Sequence, residues 1–103
     1  MSSKKVTKSD LVDRIYQNCD CEKKLVQSVV DEFLVSLKDS LKEKNTIELR
    51  GFGTFEPRLR KGRSKARNPK TGENLSVAPH YTIIFRTGQD LKSSMLELPI
   101  EEL

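Results

Sequence analysis

The most chemically distinctive residues in this sequence are bases gathered into one short stretch. Arg58, Arg60, Lys61, Arg63, Lys65, Arg67 and Lys70 follow one another with no acid between them. The whole chain has 19 Lys and Arg against 15 Asp and Glu. With those seven set aside, 12 bases face 15 acids and the remainder carries a net charge of −3. A mildly acidic body with one concentrated basic element is the electrostatic footprint of a polyanion binder. The other reactive residues form no comparable group. Cys19 and Cys21 make a C-x-C, one residue short of the C-x₂-C spacing of zinc sites. His80 is the only histidine, so a four-ligand metal site would have to draw on carboxylates. His80 lies between Pro79 and Tyr81 in a strand-like run, with no nucleophile paired to it. No glycine-rich phosphate loop is present, and the carboxylates scatter over surface-like helical positions. Neither enzymatic activity nor a metal or cofactor is expected. The two cysteines read as ordinary residues near a helix start.

The basic stretch needs elements to hold it. Thr7 and Asp10 have capping-box spacing, and Leu11, Val12, Ile15 and Tyr16 follow at helical intervals, predicting a helix over about Lys8 to Asn18. A second helix begins near Asp20. Its apolar positions Leu25, Val26, Val29, Val30, Phe33, Leu34, Leu37 and Leu41 form a stripe too wide for a small sheet to cover. A partner subunit would cover it, and packing within the single chain is the plain alternative. Lys42, Lys44 and Asn45 suit the helix end.

From Thr46 the period becomes two. Ile47 and Leu49 lead into Gly51-Phe52-Gly53-Thr54-Phe55, where the glycines point to a bulge or a close backbone approach. Beyond the basic stretch, Leu75, Val77, Tyr81, Ile83 and Phe85 alternate as one face of a long strand. The bases therefore sit on a long β-hairpin that turns at Asn68-Pro69-Lys70-Thr71-Gly72. Pro57 and Pro79 cannot donate to a ladder, so both favour an edge or a bulge, and a flexible arm base is expected there. Thr87-Gly88-Gln89-Asp90 repeats the capping-box spacing, with Thr87 as the expected cap of a short helix through Leu91 and Met95 that Pro99 ends.

At 103 residues one domain is expected, with a core small enough for oligomerisation to add to it. No apolar run approaches the roughly 18 residues of a membrane span. Met1 to Asp10 is polar and lacks a secretory apolar region, so a soluble, cytoplasmic protein is expected.

Taken together, Gly51-Phe52-Gly53-Thr54-Phe55, Arg60, Arg63, Ala66-Arg67-Asn68-Pro69-Lys70-Thr71-Gly72, Phe85-Arg86, Gly88 and Leu91-Lys92 resemble the bacterial histone-like HU and integration host factor family. The resemblance spans about Thr7 to Ser93. It implies an α+β fold: a base of two helices, a three-stranded antiparallel β-saddle with a long β-ribbon arm, and a short C-terminal helix, in an intertwined dimer. The corresponding division is an N-terminal extension at 1–6, a DNA-binding domain at 7–94 with its arm at about 57–79, and a tail at 95–103.

The implied function is architectural: bending and compacting duplex DNA in the nucleoid, with two arms in the minor groove. The family is itself a standing example of minor-groove binders that use apolar wedges, and the wedge position corresponds to Pro69. Arg58, Arg60, Lys61, Arg63, Lys65, Arg67 and Lys70 would line the ribbon and neutralise phosphates, while Arg67 and Asn68 flank the wedge and reach base-edge acceptors. Readout there separates A·T from G·C and little more, so weak sequence specificity is expected, with preference for bent, nicked or flexible sites. Arg50 is a candidate minor-groove contact, and Lys8 and Lys92 are candidate phosphate contacts near helix ends. Phe33, Leu37, Phe52, Phe55 and Phe85 are assigned to the dimer core. The expected partners are double-stranded DNA and a second copy, with a heterodimer as the alternative and RNA as a secondary ligand, because its grooves suit a wedge less well. A site-preferring, integration-host-factor-like protein is the near rival. Departures from the family pattern are Ala66 for a glycine, Thr87 for proline or alanine, and Gln89 for a lysine, which puts one body phosphate contact in doubt.

Overall fold

In the computed structural model, residues 4–67 and 74–100 are described, with 63–67 and 74–76 described by their backbone. The chain divides at Asp39/Ser40 into two units, each taken by itself below.

The first unit is helical. Helix α1 (Lys8–Asn18) opens on the expected capping box: the Asp10 N–H donates to the Thr7 hydroxyl at 3.3 Å, and the Thr7 N–H donates to the Asp10 carboxylate at 3.0 Å. Those bonds hold the Asp10 carboxyl below its usual range, the Thr7 backbone N–H being the largest cause. Helix α2 (Lys23–Lys42) begins after the turn that carries both cysteines. Val12 and Val26 are the buried hydrophobic residues of the two helices, and Lys23–Asp13 and Lys8–Asp31 ion pairs, each 2.7 Å, link them. The Cys19 and Cys21 turn borders an apolar pocket of about 230 Å³ lined by Ile15, Leu25, Val26, Val29 and Val30. Much of the apolar surface of both helices stays uncovered: Leu11 and Ile15 on α1, and Leu25, Val29, Phe33 and Leu34 of the α2 stripe, are all exposed.

The second unit starts with the end of α2. The Asn45 N–H donates to the Ser40 carbonyl and the Lys44 N–H to the Leu41 carbonyl, a Schellman pattern with Lys44 in the left-handed region at φ 67°. The Lys44 ammonium lies 5.2 Å from the Tyr81 ring centroid, a cation–π contact. Strands β1 (Ile47–Leu49), β2 (Gly53–Arg60) and β5 (His80–Thr87) form an antiparallel sheet in the order β1-β2-β5. Strands β3 (Arg63–Arg67) and β4 (Asn74–Val77) form a separate antiparallel pair, the expected ribbon. The single long strand read from Leu75 to Phe85 is therefore two, interrupted at Ala78–Pro79. Pro57 is tolerated inside β2 because β1 pairs only as far as Phe55, so beyond that point β2 has a neighbour on one side only.

Helix α3 (Gln89–Leu96) corrects one expectation. Its N-cap is Gly88, with no side-chain cap, and Thr87 is the last residue of β5, paired with Gly53. The cap comes instead from the turn before β2. The Gly88 N–H donates to the Phe52 carbonyl at 2.7 Å and the Leu91 N–H to the Gly51 carbonyl at 3.1 Å. Gly51 reaches this position at φ 84°, and a Cβ there would stand 2.6 Å from the Asp90 carboxylate. The helix also closes at Leu96, ahead of Pro99.

Candidate nucleic-acid interface

Strand alternation sorts the β2–β5 ladder into two faces. One carries Phe55, Pro57 and Leu59 opposite Phe85, Ile83 and Tyr81. The Phe85 ring packs at 4.9 Å from Phe55 and 5.6 Å from Phe52, centroid to centroid. Yet this face is largely open: Phe85 is 42%, Ile83 50%, Tyr81 53% and Leu59 56% exposed. Of the residues assigned to a dimer core, Phe52 and Phe33 are likewise exposed, and Leu37 and Phe55 half-buried. Each unit, taken by itself, thus leaves large apolar side chains uncovered in the single chain.

The other face is polar apart from Ile84, opposite Glu56. Arg58 and Arg60 occupy it on β2, opposite Thr82 and His80. Arg58 donates to Glu56 at 3.2 Å, and Arg86 on β5 reaches the other oxygen of the same carboxylate at 3.5 Å. Glu48 on β1 stands opposite Thr54 on this face as well. The face thus grades from carboxylates near β1 to bases toward the ribbon, where exposed Arg60 and Lys61 lead into β3.

Arg63, Lys65 and Arg67 lie on β3, and Asn68, Pro69 and Lys70 fall outside the described residues. Arg50 is exposed in the turn that precedes β2. Lys92 is exposed on α3, beside a shallow pocket bordered by Thr87, Met95 and Leu96. Lys8 belongs to the helical unit, and its ammonium is engaged by Asp31. That contact, followed by the Gln27 amide, holds the Asp31 carboxyl below its ordinary value. Arg86 and Glu56 are the residues the sequence reading missed. Their signal was parity: both stand on the Arg58 face, but this is visible only once the register of β2 against β5 is known.

A family model described as "Bacterial DNA-binding protein" matches residues 6–95, nearly the whole chain. The chain belongs to this family, that of HU and integration host factor. The integration host factor subunit alpha of Hahella chejuensis is 36% identical over 90 residues, covering 87% of this chain and 89% of the relative. The subunit alpha of Xylella fastidiosa is 38% identical over 87 residues, covering 84% of this chain and 87% of that one. Among solved structures, an Anabaena HU–DNA cocrystal structure superposes with a TM-score of 0.80 at 28% identity, covering 90% of this chain and 100% of the other. The family makes this chain an architectural DNA-binding protein rather than an enzyme, and the α+β arrangement is that of the HU fold. Among the described residues, no helix is long and apolar enough to cross a membrane.

Proposed function

We propose that this HU-family chain acts as a dimer that bends duplex DNA, holding it in the minor groove with two basic ribbons. The observation that carries the reading is the two-sidedness of the β2–β5 ladder: arginines on one face, and on the other an aromatic surface about half exposed in the single chain. A second copy covers the apolar face, and the polar faces with their arms meet one DNA molecule. In this reading Arg58, Arg60, Lys61, Arg63, Lys65, Arg67 and Lys70 neutralise phosphates, Arg50 and Asn68 reach the groove floor, and Lys8 and Lys92 hold flanking phosphates. For Lys8 the phosphate would have to displace Asp31. Pro69 wedges between base pairs, a step that costs a few kcal/mol of unstacking and is offset by the added contact of the bend. Selection works through shape and deformability more than base edges, as at chromosome-compacting sites in a nucleoid. The relatives named as integration host factor subunit alpha support a second reading, in which this chain pairs with a different subunit and favours particular sites.

Binding to a duplex of about 35 base pairs, intact or with two nicks about one helical turn apart, tests the mechanism across a salt series. Nicks lower the bending cost without altering base edges. Tighter binding to the nicked form is expected, with log K falling against log salt at a slope of about −5 to −9 for roughly 6–10 neutralised phosphates. Replacing Pro69 and Arg67 by alanine should remove the preference. Equal, weak binding to both duplexes would refute bending and turn attention to RNA.

A further inference from the structure

Among the described residues, the pairing between the two strands of the arm changes register once. From Gly53↔Thr87 through Arg60↔His80 to Arg63↔Val77, each step forward on one strand is matched by one step back on the other. This holds across the break between the two sheets, where Lys61 and Gly62 face Ala78 and Pro79 in equal number. Between Arg63 and Ala66 the match fails: β3 advances from 63 to 66 while β4 retreats only from Val77 to Leu75. Two residues, Ser64 and Lys65, therefore stand against one, Ser76. This is a β-bulge, and Ala66↔Leu75 and Arg67↔Asn74 resume a regular ladder beyond it.

Alternation makes the consequence definite. Strand positions two apart share a face, and a one-residue slip exchanges the faces of everything that follows. Arg58 and Arg60 lie on the polar face with Arg86, and Arg63 is an odd number of steps from them. In an unbroken ladder Arg67, four residues after Arg63, would keep the phase of Arg63, opposite to Arg58 and Arg60. The extra residue reverses that. Arg67 stands at the register position of Asn74, which by residue count through the unpaired Ala78 and Pro79 is an even number of steps from His80, Thr82 and Arg86.

We propose that the Ser64–Lys65 bulge is a phase-setting element. It brings the last described base before the arm tip back onto the face that holds Arg58 and Arg60, so that one arm offers a continuous basic face to a single groove of duplex DNA. The inference rests on the DNA-bending reading above. It assigns a positioning function to Ser64 and Lys65 that depends on their number more than on their chemistry.

Two full-length variants with the same net charge separate phase from bulge. Deleting Ser64 removes the extra residue, so the ladder becomes regular and Arg67 keeps both its partner Asn74 and its phase. Inserting one serine between Ser76 and Val77 also makes the ladder regular with Arg67 opposite Asn74, but places Arg67 in the opposite phase. Affinity for intact and nicked duplexes is measured for both against the unaltered protein. The deletion should bind within about threefold of it. The insertion should lose about tenfold or more, because the directed Arg67 contact is lost from both arms of a dimer, and tenfold corresponds to about 1.4 kcal/mol. Its salt slope should be shallower by about 2, for one phosphate contact in each arm of a dimer. Circular dichroism should show both variants folded, because the change lies in the separate β3–β4 pair. Adding a further serine after Ser64 to the insertion variant rebuilds a bulge but leaves Arg67 opposite Asn74 in the wrong phase, so its binding should stay as weak as that of the insertion alone, and recovery would overturn the proposal. Unaltered protein that fails to prefer the nicked duplex refutes bending, and phase is then judged on intact-duplex affinity alone. Equal binding by the deletion and insertion variants, whether both strong or both weak, overturns the proposal.

Discussion

Replacing Glu56 with glutamine removes one negative charge from the strand face that carries Arg58 and Arg86 while keeping the side chain's size. In the free protein both guanidiniums are held by this carboxylate, at 3.2 and 3.5 Å. A phosphate that approaches Arg58 or Arg86 must displace it. Exposed ion pairs are worth about 0.2–1 kcal/mol each, and the side chains here are 29–60% exposed, so the lower half of that range applies. In the proposed dimer, two pairs in each of two subunits give about 1–2 kcal/mol of competition relieved. That corresponds to about five- to thirtyfold tighter binding at low salt. Each guanidinium newly engaged by a phosphate also steepens the salt slope by about 0.9, to a limit of about 3.6 for all four. Fluorescence anisotropy with a labelled duplex, from about 50 to 200 mM salt, reads both quantities. Glu48→Gln is the control, since it makes the same charge change on the same face, at a residue in no ion pair among the described residues. Affinity and slope indistinguishable from the Glu48→Gln control would refute the argument that DNA competes with Glu56 for these arginines. Weaker binding by Glu56→Gln would mean that the carboxylate orients the arginines for DNA instead of withholding them.

Gly51→Ala should lower stability by about 1–2 kcal/mol, because an L-residue at φ 84° is strained and its Cβ meets the Asp90 carboxylate; an unchanged chemical-denaturation midpoint would contradict this. The carboxyls of Asp31 and Asp10 are held below their unfolded values, by Lys8 and Gln27 and by the Thr7 cap respectively. The stability they contribute is therefore complete above about pH 4 and drains away as pH falls through the depressed folded values. The melting difference between the unaltered protein and Asp31→Asn should accordingly be largest near neutrality and shrink toward about pH 3, and a difference that grows on acidification would reverse the sign of this linkage.

Helix α1 could be read from the chain alone because everything that fixes it lies within a few residues. Thr7 and Asp10 satisfy each other's backbone, and the apolar spacing of Leu11, Val12, Ile15 and Tyr16 supplies the face. The position and sign of the basic stretch, the ribbon that bears it and the unpartnered stripe of α2 were legible for the same reason: composition and period are local properties. Thr87 shows where local reading ends. Its spacing to Asp90 imitates a capping box, but pairing with Gly53 draws Thr87 into β5, and the Gly51–Phe52 carbonyls take over the helix end. The meeting of Glu56, Arg58 and Arg86 likewise needed the register of two strands far apart in sequence. The bulge at Ser64–Lys65 is the sharpest case. Residue types on β3 cannot show which bases share a face, because one extra residue exchanges the faces of all that follow. Sequence alone determined which residues are basic and which segments alternate. Tertiary pairing decided which of them stand together, because register is set by contacts between distant strands and by no property of either strand by itself.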